Sequence, residues 1–211
     1  MIENICLSAL TSAALTWFGS RWIDRLYARE EAPLEFPNEI AARKKFRLPL
    51  LSIGMFIFLI EITDRAPLEI FYLAIASFLL LLITATDFEQ YVIFDRMTLP
   101  LAIVGLISTI QLQLPIADHL LASIIGGGAF FLIASTTGGA LGGGDIKLVA
   151  ALGLWLGSAR LLDTILIGSI MAGIAALIMI AAKKMNRRDM IAYGPYFALT
   201  ALYFLIFNQP Q

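Results

Sequence analysis

Long apolar runs separated by short polar breaks organise this chain from end to end. The runs fall near residues 4–20, 48–63, 67–86, 97–113, 119–137, 146–159, 161–182 and 190–207. A helix needs about 20 predominantly apolar residues to cross a bilayer, so the pattern predicts an all-α, polytopic membrane bundle of about eight transmembrane helices. The windows 48–63 and 146–159 are short for a crossing, and a re-entrant or untilted segment is the competing reading there.

Composition agrees with this pattern. Of 211 residues, 59% are hydrophobic and 15% charged, against about 25% charged in an average soluble domain, and the mean hydropathy is +0.84. An ordinary soluble globule is excluded, and residues 1–211 are expected to form one integral-membrane domain. A net charge of −1 offers no basic surface for nucleic acid. Cys6 is the one cysteine and His119 the one histidine, so neither an internal disulfide nor metal-ligand spacing is present.

Lysine and arginine collect in cytoplasmic loops of membrane proteins. The start of the chain lacks a basic flank, and Arg21 follows the first apolar run, which places the N-terminus outside. With eight crossings, the inner side then receives Arg21, Arg25, Arg29, the basic cluster at 43–47, Arg96, Lys147 and the cluster at 183–188. Only Arg65 and Arg160 fall outside, a division of 13 to 2. The longest connection, 21–47, is expected to be a cytoplasmic loop of mixed charge without cysteine.

Acids at the ends of membrane spans are mostly solvated, and Glu61, Asp64, Glu69, Asp118 and Asp163 read in that way; His119 starts a helix on the outer side. Two aspartates differ. Asp87 closes the apolar run 74–86, and Asp145 ends a loop with five glycines among residues 138–144 and opens the next helix. By parity of crossings both lie at the cytoplasmic ends of their spans, so they can meet across 58 residues of sequence. Two carboxylates sharing one proton can activate water and polarise a scissile carbonyl. Each alone would read as ordinary, Asp145 as an N-cap and Asp87 as a partner of Lys147 or Arg96. The glycines favour the paired reading, because Gly142, Gly143 and Gly144 offer a bare backbone on which an extended substrate could lie. Gly126, Gly127 and Gly128 lie inside a predicted span and read as helix packing.

These residues resemble the type IV prepilin peptidase family, membrane aspartyl proteases with a Gly-x-Gly-Asp signature. Gly142-Gly143-Gly144-Asp145-Ile146-Lys147-Leu148, followed by Ala150-Ala151-Leu152-Gly153 and Trp155-Leu156-Gly157, resembles the second catalytic block of the family. The stretch Asp87 to Pro100, with Asp95 eight residues after Asp87, resembles the first, and Ala192-Tyr193-Gly194-Pro195-Tyr196-Phe197 the late Phe-Gly-Pro block. Weaker echoes lie at Gly19-Ser20 and in 40–43. The likeness is good over about 80–205 and poor over the first 50 residues. Phe94 and Ala192 replace prolines usual in the family, and Gly138-Gly139 a basic-acidic pair.

The resemblance implies a bacterial inner-membrane aspartic endopeptidase that removes the basic leader from type IV prepilins or type II secretion pseudopilins on the cytoplasmic side. Asp87 and Asp145 would be its catalytic pair, working without metal or cofactor. Asp145 opens a helix and is expected to hold the water as general base; Asp87 closes one and is expected to act as general acid. Lys147 either orients Asp145 or faces lipid phosphate, Asp95 and Glu89 belong to a solvated juxtamembrane loop with substrate positioning as the alternative for Asp95, and Tyr193, Gly194 and Pro195 shape a helix start near the site. Bifunctional members carry two Cys-x-x-Cys pairs and an asparagine soon after Gly-Ser; here Arg21-Trp22-Ile23-Asp24 follows Gly-Ser and no cysteine is present in that loop. Weak or absent N-methylation is therefore expected, with S-adenosylmethionine a cofactor only where that activity is retained. The partners are prepilin or pseudopilin substrates and the lipid bilayer; the oligomeric state is open. A tight-adherence or preflagellin-like peptidase would share the pair, and a non-catalytic scaffold or proton-coupled transporter is the reading from another class.

Overall fold

Apolar stretches of this length close their backbone hydrogen bonds internally only as helices, and a computed structural model shows them doing so. It describes residues 2–29, 34–137, 141–183, 186 and 191–207. Gly138 and Gly139, and the basic residues Lys184, Arg187 and Arg188, lie outside the described residues. Among those described there is no strand. The helices are α1 (Ile2–Ala28), α2 (Ile40–Arg43), α3 (Arg47–Glu61), α4 (Pro67–Gln90), α5 (Asp95–Gln111), α6 (Ile116–Thr136), α7 (Gly143–Ala181) and α8 (Gly194–Phe207), with a 3-10 turn on either side of α2. Three of them, α4, α6 and α7, are long and apolar enough to cross a membrane. Large apolar side chains such as Leu10, Ile124, Leu166 and Leu177 face outward, so the bundle is apolar outside as well as inside, the surface that lipid solvates.

Each of the eight sequence windows is helical, with three corrections. The predicted loop 21–47 is largely ordered: α1 continues to Ala28, because Ile23, Leu26 and Tyr27 recur at helical spacing and bury against the core. The last turn of α4 reaches Gln90, so Asp87 lies within the helix. The windows 146–159 and 161–182 form one element, α7, whose two halves meet at Gly157 with φ 69° and ψ 179°.

That break gives exposed Asp118 and buried His119, both near the start of α6, a structural role. Interrupting a helix orphans an amide on one side and a carbonyl on the other. Asp118 Oδ2 accepts the Ser158 amide at 3.0 Å. The carbonyl of Leu154 accepts the Thr109 hydroxyl at 2.8 Å and lies 2.9 Å from Nδ1 of buried His119. Asp118 and His119 therefore serve the fold by capping the two halves of α7. A side chain at residue 157 would strike Asp118 Oδ2 and would strain the positive φ.

Near the other end of the bundle, a buried ion pair joins α1, α3 and α4. Arg47 is 2% exposed and Glu89 4%. Arg47 Nε donates to Glu89 Oε1 at 2.7 Å and Nη2 to Glu89 Oε2 at 2.5 Å. Arg47 Nη1 reaches Asp24 Oδ1 at 2.6 Å and the Ser20 carbonyl at 3.2 Å. The Tyr27 hydroxyl donates to Glu89 Oε2 at 3.0 Å. Glu89 is thus no solvated loop residue. A lone buried charge is far costlier than a buried pair, so removing one partner destabilises by about 3–5 kcal/mol, whereas replacing both with apolar residues is close to neutral. Denaturant unfolding in detergent micelles should show that loss for Arg47→Met and for Glu89→Leu. Most of it should be absent from the double substitution; additive losses in the double variant would refute the pairing.

Candidate active site

Asp87 and Gln90 at the end of α4 and Gly143 to Asp145 at the start of α7 build the site. α4 ends at Gln90 because Tyr91 adopts a left-handed conformation (φ 53°), its amide bonded to the Asp87 carbonyl at 3.0 Å. The chain then runs extended to Phe94, the N-cap of α5. α7 starts earlier than the sequence suggests: Gly142, extended at φ −70° and ψ 147°, is its N-cap, and Asp145 is the third helical residue. Among the described glycines of this loop, Gly142 alone offers extended backbone. Gly143 and Gly144 already lie in the first helical turn, which corrects the expectation of a strand-like glycine edge.

Asp87 and Asp145 line one cavity of about 440 Å³, together with Gln90, Tyr91, Ile93 and Gly142 to Gly144. The negative field of Asp145 reaches Asp87. The two carboxylates differ in setting. Asp87 is 5% exposed, and its Oδ2 has no hydrogen-bond partner among the described residues. Asp145 is half-buried at the helix start. Lys147, one of the two partners in the ordinary reading of Asp87, bonds to Asp95 instead.

Gly194, the first residue of α8, packs directly on Asp87. A Cβ there would stand 2.7 Å from Asp87 Oδ2 and 2.8 Å from Ile93 Cδ1. The late sequence block therefore does more than shape a helix start: its glycine is the wall of the Asp87 pocket. Asp87 also sits between the C-terminal end of α4 and the N-terminal end of α8, whose dipoles oppose at that point. The helix ends alone therefore do not distinguish the two aspartates. Pro195 is buried, and the Tyr193 ring stacks on Phe197 at 6.2 Å, one turn along α8. Their contribution is to fix the start of α8 against the core.

Lys147 and Asp95 pair with each other. Lys147 Nζ lies 2.6 and 2.8 Å from the two carboxylate oxygens of Asp95, and both side chains are largely exposed. Lys147 thus neither orients Asp145 nor stands free for lipid phosphate. The pair ties α5 to α7 at the surface, and exposed pairs of this kind are worth about 0.2–1 kcal/mol.

Two further residues belong to the site and carried no signal in the sequence. Glu35 lines the same cavity, from a segment with no apolar periodicity. Gln90 is fully buried and clamps the backbone of Phe36, accepting its amide at 2.9 Å and donating to its carbonyl at 3.1 Å. Both follow from how residues 34–39 pack against α4. Among the described residues, no three of His, Cys, Asp and Glu cluster closely enough to hold a metal ion.

Residues 73–177 match the type IV leader peptidase family. A prepilin leader peptidase/N-methyltransferase of Neisseria gonorrhoeae is 34% identical over 142 residues, which cover 64% of this chain and 47% of the relative. One of Xanthomonas campestris pv. campestris is 33% identical over 131 residues, 59% of this chain and 46% of the relative. One of Pectobacterium carotovorum is 30% identical over 142 residues, with 64% and 50% covered. The chain spans about half the length of the curated relatives it matches. No solved structure matches it. Because the matched stretch carries both cavity aspartates, each on its own helix, the chain belongs to the type IV leader peptidase family.

Proposed function

We propose that this chain is a membrane aspartic endopeptidase, a single domain that removes the leader from type IV prepilins or type II secretion pseudopilins. The observation that carries the proposal is the shared cavity: carboxylates 58 residues apart in sequence converge there, one of them buried with its Oδ2 free of any hydrogen-bond partner among the described residues. Asp145, the more accessible, holds the attacking water and takes its proton as the water oxygen bonds to the scissile carbonyl carbon. Asp87 supplies the proton that the carbonyl oxygen receives; as the carbon–nitrogen bond breaks, Asp145 passes its proton to the departing amine and a hydroxyl of the gem-diol returns one to Asp87, leaving the new carboxyl group. The nucleophile is water, with neither metal nor cofactor. S-adenosylmethionine would enter only with a methyl-transfer activity, for which this chain lacks the cysteine pairs of bifunctional members.

Nothing among the described residues lies within 4 Å of where a Cβ on Gly143 would stand, and only Asp145 Oδ2 lies that close to one on Gly142. The fold does not need these positions bare, and a substrate backbone approaching the cavity does. Proton-coupled transport calls for acids spread along membrane pathways; the meeting of the two carboxylates in one cavity favours hydrolysis. A tight-adherence or preflagellin-like peptidase would use the same pair on a different substrate. The family is membrane-associated, and with eight helical segments we place the N-terminus outside and the site at the cytoplasmic face of the bacterial inner membrane.

Co-expression with a prepilin and mass determination of its N-terminus tests the chemistry. Asp87→Asn and Asp145→Asn should each abolish leader removal with membrane insertion intact, while Asp95→Asn retains activity; normal processing by either of the first two would sink the proposal. Gly194→Ala should lower kcat on the order of 100-fold by displacing Asp87, whereas Gly143→Ala should raise KM and leave stability unchanged. Equal effects of the two alanines on kcat would contradict these roles. Orientation is tested in a Cys6→Ser background: a cysteine at position 35 should resist an impermeant thiol reagent added to intact cells, and labelling from outside would reverse the topology.

A further inference from the structure

The segment between α1 and α2 adds a third carboxylate to the cavity, and its backbone is held in place. Gln90, the last residue of α4, grips Phe36 through both ends of its amide, and the Gln90 carbonyl accepts the Glu35 amide at 3.4 Å. The Phe36 ring meets Tyr91 edge-on at 5.3 Å, and the Arg43 guanidinium lies 3.3 Å over its other side. Four contacts thus fix residues 35–36 across the end of α4. The Glu35 side chain is left exposed, with no side-chain hydrogen bond or ion pair among the described residues. Arg43, the cation that covers Phe36, is already engaged, since it pairs with Glu39 at 3.0 Å.

The cavity therefore has one sign of charge. Glu35, Asp87 and Asp145 line it, and no lysine or arginine is among its described lining residues. Asp87 and Asp145 are occupied with the reaction. Glu35 is not, and a carboxylate on a fixed backbone beside the reacting pair is suited to a charge-assisted hydrogen bond with a cation. Low-dielectric walls focus such a field and raise the local concentration of a cationic ligand.

Building on the peptidase proposed above, we propose that Glu35 is a specificity-determining residue whose carboxylate receives a lysine or arginine side chain of the peptide bound across Asp87 and Asp145. Gln90 is the positioning residue that holds Glu35 there. Selection acts on binding: Glu35 recognises one side chain of the substrate and takes no part in the proton transfers.

The test uses the full-length protein in lipid nanodiscs and a set of fluorescent peptides in which a single lysine moves along an otherwise neutral sequence. Binding is read by anisotropy and cleavage separately. At one lysine position the wild type should bind about threefold to tenfold more tightly than it binds the all-neutral peptide, with the advantage falling as salt rises. Glu35→Gln should erase that advantage, with a larger effect on affinity than on kcat, Glu35→Asp should keep part of it, and Glu35→Lys should transfer the preference to a peptide with glutamate at the same position. The proposal is overturned if the lysine advantage survives Glu35→Gln, if no lysine position is favoured by the wild type, or if Glu35→Gln changes kcat and not affinity. Because affinity is measured apart from cleavage, peptides that bind with the Glu35 dependence and are never cut would refute the peptidase chemistry alone.

Discussion

A guanidinium taken out of water among apolar helices must find its partners inside the protein, and for Arg47 they come from α1 and α4. This requirement fixes where the first quarter of the chain can go. α1 and α3 are locked to the last turn of α4, and the segment joining α1 to α3 must cross the same end of the bundle. Residues 34–39 are therefore delivered to the cavity by an ion pair that touches no reacting group. The family match covers 73–177, and the Arg47 network is how residues before that stretch become part of the site.

The opposite end of the bundle obeys a related rule. A helix break leaves polar backbone groups with no water to turn to, and α7 meets this at Gly157 with side chains from α5 and α6. Arg65 does the same for α8, bonding the Ile206 carbonyl at 2.6 Å while pairing with Glu69. Polar residues in this protein are placed where the backbone or a buried charge would otherwise stand unsatisfied. Asp87 departs from this: Thr16, Arg160, Thr164 and Thr200 also bury a side-chain atom without a partner among the described residues, but Asp87 Oδ2 is the one carboxylate oxygen among them, and it lies at the site.

How much of this was legible in the sequence follows from the same physics. Apolar length is a local property, so every helical window could be located, and parity of crossings sufficed to bring Asp87 and Asp145 to one end. Pairing is not local. Glu89 reads as a loop acid until Arg47, 42 residues away, is known to reach it; Asp118 is exposed as its position implies, and its second role appears only once the break 40 residues later supplies an orphaned amide. Lys147 looked like a partner for its neighbour Asp145 and instead pairs with Asp95, 52 residues distant. Glu35 lay in a segment without periodicity, where nothing in the residue order indicates which helix end it covers.

The last turn of α4 concentrates three tasks in four residues: Asp87 faces the cavity, Glu89 holds the buried guanidinium, and Gln90 grips the Phe36 backbone. In a helix each residue is rotated about 100° from the one before. Inserting or deleting one residue between Pro67 and Thr86 would therefore swing all three side chains together, exchanging their directions among lipid, core and cavity. Length within this helix is consequently a heritable constraint of a kind that substitutions do not sample. In descendants of this chain the residue count of α4 is therefore held more tightly than the identity of its outward-facing apolar side chains.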